Sequence, residues 1–128
     1  LALSSILEPE ADVGDYQISS RLWASHRRRA RHHRDRGNGF TVEIADTRRP
    51  ANTLVSRYYK DGKDCLISMG RGRNPRMLTP RECARLQGFD PERFQLPAAR
   101  TPAYRQFGNS VTVPIVRTIA RSFIDYLD

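Results

Sequence analysis

One stretch of this sequence specifies its own conformation almost unaided: Leu78-Thr79-Pro80-Arg81-Glu82-Cys83-Ala84-Arg85-Leu86-Gln87-Gly88-Phe89. Thr79 is an N-cap whose hydroxyl can accept from a backbone N–H left over in the first turn. Pro80 takes the first helical position, where no N–H is needed. Glu82, three residues after the cap, completes a capping box, and Gly88 supplies the left-handed stop. A helix of about two and a half turns is predicted. It must be covered by other elements, and apolar residues make up only 38% of the 128 residues, below the ~45–50% usual in globular domains. A single small core is expected, or a core that another chain completes.

Around this helix the pattern alternates between types. Ser19 or Ser20 caps a second helix through Leu22, Trp23 and an arginine cluster, and Gly37 stands at its C-terminal turn. A last helix, about Val113 to Leu127, carries Val116, Ile119, Ala120, Phe123, Ile124 and Leu127 as a continuous apolar stripe. Between them, Thr41 to Ile44 alternates, and Asn52 to Tyr59 and Cys65 to Met69 also read as short strands. Lys60 to Asp64, with Asp61-Gly62, reads as a hairpin turn. Gly70 to Pro75 is a basic glycine-rich loop, Pro91, Pro97 and Pro102 mark another loop, and residues up to Gln17 form an irregular lead-in with a turn or two of helix. The expected fold class is α+β: a small twisted antiparallel sheet with a basic helix, followed by two further helices.

The net charge is +8, and seven arginines between Arg21 and Arg36 face a single acid there, Asp35. Such a concentration favours a polyanionic partner. The basic helix is either a solvated face or a phosphate-contacting one. His26, His32 and His33 lack the i,i+4 spacing that sets two ligands on one helical face, so no metal site is expected. Cys65 and Cys83 form no CxxC pair, which points away from a disulfide framework or zinc and towards a reducing compartment. No segment has the makings of a signal peptide or a membrane span, so a cytoplasmic location is expected. The first residue is Leu rather than Met, as expected of a trimmed or excised segment.

Two segments carry a resemblance to a known family. Arg76 to Phe89 resembles the ninth motif of the DNA cytosine-5 methyltransferases, and Tyr104-Arg105-Gln106-Phe107-Gly108-Asn109-Ser110-Val111 resembles the tenth. Upstream, Arg49-Pro50-Ala51-Asn52-Thr53-Leu54-Val55-Ser56 is similar to the end of the family's target recognition domain, and Tyr16 to Phe40 to recognition-domain sequence of bacterial members. The resemblance implies a DNA-reading part over residues 1–75 and a hinge with a C-terminal helix over residues 76–128. It also implies that the last two helices pack on a Rossmann-like catalytic domain.

In that family a cytosine is flipped out of double-stranded DNA, attacked at C6 by a cysteine thiolate, and methylated at C5 from S-adenosyl-L-methionine. Extrusion is needed because the ring is inaccessible in the stack. The family's Pro-Cys, Glu-Asn-Val and glycine-rich cofactor motifs are not found here. No catalytic residue is therefore expected, and the implied partners are DNA and a catalytic part or subunit carrying the Pro-Cys nucleophile. The chain would be the smaller subunit of a split enzyme or a piece of a full-length one. Cys83 is packing by the resemblance, and its neighbours Arg81 and Arg85 lie about 200° round the helix from it.

For the cofactor, the resemblance implies Asn109, Ser110 and Val111; the alternative is that Asn109 and Ser110 only cap the last helix. For DNA, it points to Thr53, Ser56, Arg57, Tyr58 and Lys60, with Arg71 and Arg73 in the basic loop and Asn38 and Gly39 in the other glycine-bearing loop. Alternation along a strand would turn about half of residues 53–60 inward. Two other readings compete: a stand-alone basic DNA-binding module derived from a methyltransferase, and a basic RNA-binding protein, which fits the charge but ignores both motifs.

Overall fold

The helix whose ends the sequence spells out forms as read. In the computed structural model, which describes residues 2–37, 39 and 41–127, it spans Pro80–Gln87. The Thr79 hydroxyl accepts from the Glu82 N–H at 3.1 Å, and the Thr79 N–H donates to the Glu82 carboxylate at 2.8 Å. Gly88 ends it at φ +85°, and a Cβ there would also lie 2.5 Å from Pro114 Cδ, so the position excludes side chains on two counts. The element order is three short 3-10 turns (Leu3–Ile6, Glu10–Asp12, Gly14–Tyr16), then α1 (Ser20–Asp35), α2 (Tyr58–Asp61), α3 (Pro80–Gln87), α4 (Arg100–Asn109) and α5 (Val113–Leu127).

The expected antiparallel sheet is absent among the described residues, and the fold is mainly helical. What remains is isolated bridges: Gln17 and Ile67 each pair antiparallel with Arg76, and Ile44 pairs parallel with Leu66. The reason lies in where the backbone groups go. At the end of the segment read as a second strand and in the turn read after it, the N–H groups of Tyr58, Lys60 and Gly62 donate to the carbonyls of Val55, Arg57 and Tyr58 at 2.9–3.0 Å. Those local bonds close turns and build α2, and the groups that form them are not available to a ladder. Gly62, at φ +49°, ends that helical turn rather than a hairpin. Cys65, at φ +62°, breaks the next run at its start.

A second correction concerns the loop through Pro102, which is α4 from Arg100 onwards. Pro102 is its third residue, within the first turn, where backbone N–H groups have no intrahelical acceptor and a proline costs no hydrogen bond. The helix points Ala103, Tyr104 and Phe107 into the core beside Leu54, Tyr58, Leu78, Cys83 and Ala84. Leu3 and Ile6 of the lead-in close the core from another side.

Two polar assemblies bind the segments together inside this core. The Tyr58 hydroxyl accepts from the Leu78 N–H at 2.8 Å and donates to the Cys65 carbonyl at 3.2 Å, while the Tyr104 hydroxyl donates to the Leu78 carbonyl at 2.6 Å. One peptide segment is thus pinned from both sides, and the two rings meet edge to face at 5.4 Å. Beside it the Glu82 carboxylate, wholly buried, takes two bonds from the Arg76 guanidinium at 2.7 and 2.8 Å and one from the Glu8 N–H at 2.7 Å, besides its bond to the cap. A bidentate pair with the remaining acceptor sites filled by N–H groups is the arrangement that lets a carboxylate stay charged inside a core.

The basic helix α1 is capped by Ser19, whose hydroxyl accepts from the Leu22 N–H at 3.2 Å, and Gly37 follows its end at φ +69°. Its only buried residue is His26. The last helix, α5, buries none of its residues: Ile119, Phe123 and Leu127 are 52%, 65% and 80% exposed.

Candidate cofactor-facing and DNA-facing surfaces

The face of α4 turned away from the core presents Thr101, Pro102, Arg105, Gln106 and Asn109, which with Ser110 line an open cavity of about 540 Å³. Ser110 donates both its N–H, at 3.3 Å, and its hydroxyl, at 2.8 Å, to the Phe107 carbonyl. Asn109 and Ser110 therefore finish α4 and do not cap α5. The first turn of α5 rests instead on the Thr112 carbonyl, which accepts from Ile115 and Val116 at 3.1 and 3.3 Å. Val111, 65% exposed, lies between them. An exposed amide, a hydroxyl oxygen with free lone pairs and an apolar side chain on consecutive residues suit a small zwitterion with an apolar part, such as S-adenosyl-L-methionine.

The backbone of this same segment lies against the segment that resembles the recognition domain. A Cβ on Gly108 would stand 2.4 Å from the Ser56 nitrogen and from both the carbonyl carbon and oxygen of Val55. Next to that contact a second cavity of about 310 Å³ is lined by Asn52, Thr53, Gln87, Gly108, Ser110 and Thr112. Thr53 and Ser110, assigned from sequence to different ligands, share it. Ser56 is half-buried at the close approach, while Arg57 and Lys60 are exposed around α2. Tyr58 is a correction: it is fully buried with its hydroxyl bonded to Leu78 and Cys65, and so is a core residue rather than one of the exposed side chains of this segment.

In the basic loop, Gly70 and Gly72 hold φ of +92° and +77°, and Arg71 is exposed. Arg73 is engaged with Glu10. The loop is tied to the start of α1 by Asn74, whose side-chain amide donates to the Ile18 carbonyl at 3.1 Å and the Ser20 hydroxyl at 2.9 Å. Along α1, Trp23, Arg27, Ala30, Arg31 and Arg34 face Val42 and Ile44 across a groove of about 420 Å³, with the Arg27 guanidinium 5.7 Å from the Trp23 ring centre. Gly39 is exposed, and Asn38 lies outside the described residues.

Neither thiol is built for nucleophilic work. Burial pushes the Cys65 thiol up to about 11 and the Cys83 thiol higher still, with the Glu82 carboxylate acting in the same direction on both. Among the described residues no group of His, Cys, Asp and Glu could hold a metal ion, and no helix is long and apolar enough to cross a membrane. Sequence reasoning missed Gln87 and Thr112, which hold the tenth-motif segment. It also missed the burial of Arg76; the signal available was its place just before the capping box, within reach of Glu82.

The C-5 cytosine-specific DNA methylase family matches residues 1–125. The Type II methyltransferase M.DsaV of Dactylococcopsis salina is 46% identical over 127 residues, which are 98% of this chain and 35% of that protein. M.NlaX of Neisseria lactamica is 48% identical over 120 residues, 93% of this chain and 37% of its own. The DNA-cytosine methyltransferase of Escherichia coli K12 is 38% identical over 142 residues, with 94% and 30% covered. The chain spans about a third of the length of these relatives. The crystal structure of the S. pombe Dnmt2 methyltransferase has the same fold over the whole of this chain and 43% of its own, at a TM-score of 0.71 and 21% identity. With nearly every residue inside the family match, the chain belongs to the C-5 cytosine-specific DNA methylases.

Proposed function

We propose that this chain is the DNA-recognition and cofactor-pocket-completing part of a DNA cytosine-5 methyltransferase, which methylates C5 of a flipped cytosine within a specific DNA sequence. The observation that carries the reading is the apolar stripe of α5, uncovered by this chain and following closely on exposed Asn109, half-buried Ser110 and exposed Val111. A catalytic part seated on that stripe would bring its own cofactor residues up to Asn109, Ser110 and Val111. Residues 1–75 would read DNA, and residues 76–128 would form the hinge and docking helix. The setting that this reading implies is restriction-modification in a bacterial cytoplasm.

When bound, S-adenosyl-L-methionine supplies an electrophilic methyl group. Asn109 and Ser110 would hold its polar part by hydrogen bonds, and Val111 would exclude water beside it. Arg57, Lys60 and Arg71 offer cations to phosphates, with Arg73 joining if it leaves Glu10, and Thr53 and Ser56 offer hydroxyls. Gly39 would let backbone approach the duplex, with Asn38 beside it. The nucleophile would come from the catalytic part, a reading supported by the burial and raised pKa values of Cys65 and Cys83.

The test is complementation. The chain is mixed with a separately produced catalytic part carrying the Pro-Cys motif, and labelled methyl transfer to duplex DNA is followed. Activity of the mixture and none of either part is the expected result. Tight, sequence-selective gel shifts by this chain alone, with no restored activity, would replace the reading with a stand-alone DNA-binding module.

A further inference from the structure

Gln87 closes α3, is 8% exposed, and lines the smaller cavity beside Gly108, Ser110 and Thr112. Its side-chain N–H donates to the Phe107 carbonyl at 2.9 Å, and its side-chain oxygen accepts from the Thr112 hydroxyl at 3.0 Å. The orientation of the amide is not arbitrary: a carbonyl only accepts, so the nitrogen must face Phe107 and the oxygen must face Thr112. These two partners flank Gly108 and Asn109, which end α4, and Ser110 and Val111 in the short loop that leads to α5. The Phe107 carbonyl is also the acceptor for the Ser110 N–H and hydroxyl, and the Thr112 carbonyl receives the first bonds of α5.

We infer that Gln87 is a positioning residue that clamps the tenth-motif loop at both ends, fixing how Asn109, Ser110 and Val111 are presented and where α5 begins. The cofactor consequence rests on the reading given under Proposed function; the clamp itself does not. A buried amide spanning two points of a short loop replaces water at both and removes the loop's freedom to change its end-to-end distance. Gly88, the next residue, packs against Pro114 of α5, so consecutive residues of the ninth motif seat the loop and the helix after it.

Three variants of the full chain test this. Gln87→Met keeps the length and removes both hydrogen bonds. Gln87→Glu keeps the acceptor for Thr112 but, as a carboxylate, cannot donate to Phe107. Thr112→Val removes the other end alone. Amide hydrogen exchange is read at Ser110 and Val111, with Cys83 and Phe89 of the α3 region as internal controls. We expect exchange in the loop to rise about tenfold or more in Gln87→Met, which loses two neutral hydrogen bonds, and less in Thr112→Val, which loses one, with the controls within about twofold. Unchanged loop exchange, or an equal rise everywhere, would overturn the clamp; if Gln87→Met does not fold, Thr112→Val and Gln87→Glu decide by the same readout. In the complemented enzyme the KM for S-adenosyl-L-methionine should rise about tenfold, with the KM for DNA unchanged. A loosened loop without that rise upholds the clamp and overturns the cofactor role of residues 109–111.

Discussion

Gly108 and Val55 are in backbone contact: a methyl group on Gly108 would stand 2.4 Å from the Val55 carbonyl carbon and oxygen. This is where the segment resembling the tenth motif meets the segment resembling the recognition domain, and neither side can yield, because the atoms facing Gly108 are main chain. Gly108→Ala must push α4 off residues 55–56. A loss of about 2–3 kcal/mol is expected from such overpacking, read as a lowered urea midpoint. Wild-type stability in the variant would show that the two segments do not touch in this way.

The Arg76–Glu82 pair, 2.7 Å apart with both side chains buried, gives the largest expected single-site effects. Arg76→Met leaves a buried carboxylate facing only backbone N–H groups, and should cost about 3–5 kcal/mol. Combining it with Glu82→Leu should cost less than the sum of the two single changes, because no lone charge is left behind. The double variant stays below wild type, since the N–H groups of Glu8 and Thr79 lose their acceptor. A double-mutant cycle in urea measures both statements.

The buried thiols make stability depend on pH in one direction. Burial raises the Cys65 pKa from 9.0 to about 11, so the fold prefers the protonated thiol. Its stabilising contribution is complete below the unfolded value near 9.0 and is lost as pH rises through about 11. Thermal midpoints should fall over that window, and less steeply in Cys65→Ser once corrected for the substitution. Alkylation by iodoacetamide at pH 8 should be slow in the native chain and fast in urea.

Binding to duplex DNA should separate Arg71 from Tyr58. If Arg71 meets a phosphate, Arg71→Ala lowers the slope of log affinity against log salt by about one. Tyr58→Phe should leave that slope unchanged and instead lower stability by about 1–3 kcal/mol, because the buried Leu78 N–H loses its acceptor. The reverse pattern would return Tyr58 to the DNA-facing set.

Ile119→Asp with Phe123→Asp places two charges on the exposed stripe of α5. Since neither side chain is buried here, the stability of the chain should stay within about 0.5 kcal/mol of wild type. Complementation by a catalytic part should be abolished. Retained methylation would mean that the partner docks elsewhere.

The three helices with explicit signals were legible: α1 through Ser19 and Gly37, α3 through its capping box and Gly88, α5 through its apolar stripe. The helix α4 was hidden because Pro102 reads as punctuation unless its position in the first turn is known, which depends on where the helix starts. The sheet failed for a different reason. Short apolar runs such as residues 52–59 look the same whether their N–H groups pair with a neighbouring strand or with a carbonyl three residues back, and only tertiary packing of Tyr58 decides. For the candidate site, the motif puts Asn109 and Ser110 forward as candidates, whereas nothing in the sequence singles out Gln87: its two hydrogen bonds need Phe107 and Thr112 brought to it by the turn after α4.

The Glu8 N–H and the Glu82 carboxylate are joined across 74 positions of sequence, and this orders events in the making of the chain. Residues up to Glu8 leave the ribosome well before α3, and their seat on that helix does not exist until a further 74 residues have followed. Cooperative closure around Leu3 and Ile6 therefore comes late, when Arg76, Thr79 and Glu82 arrive together.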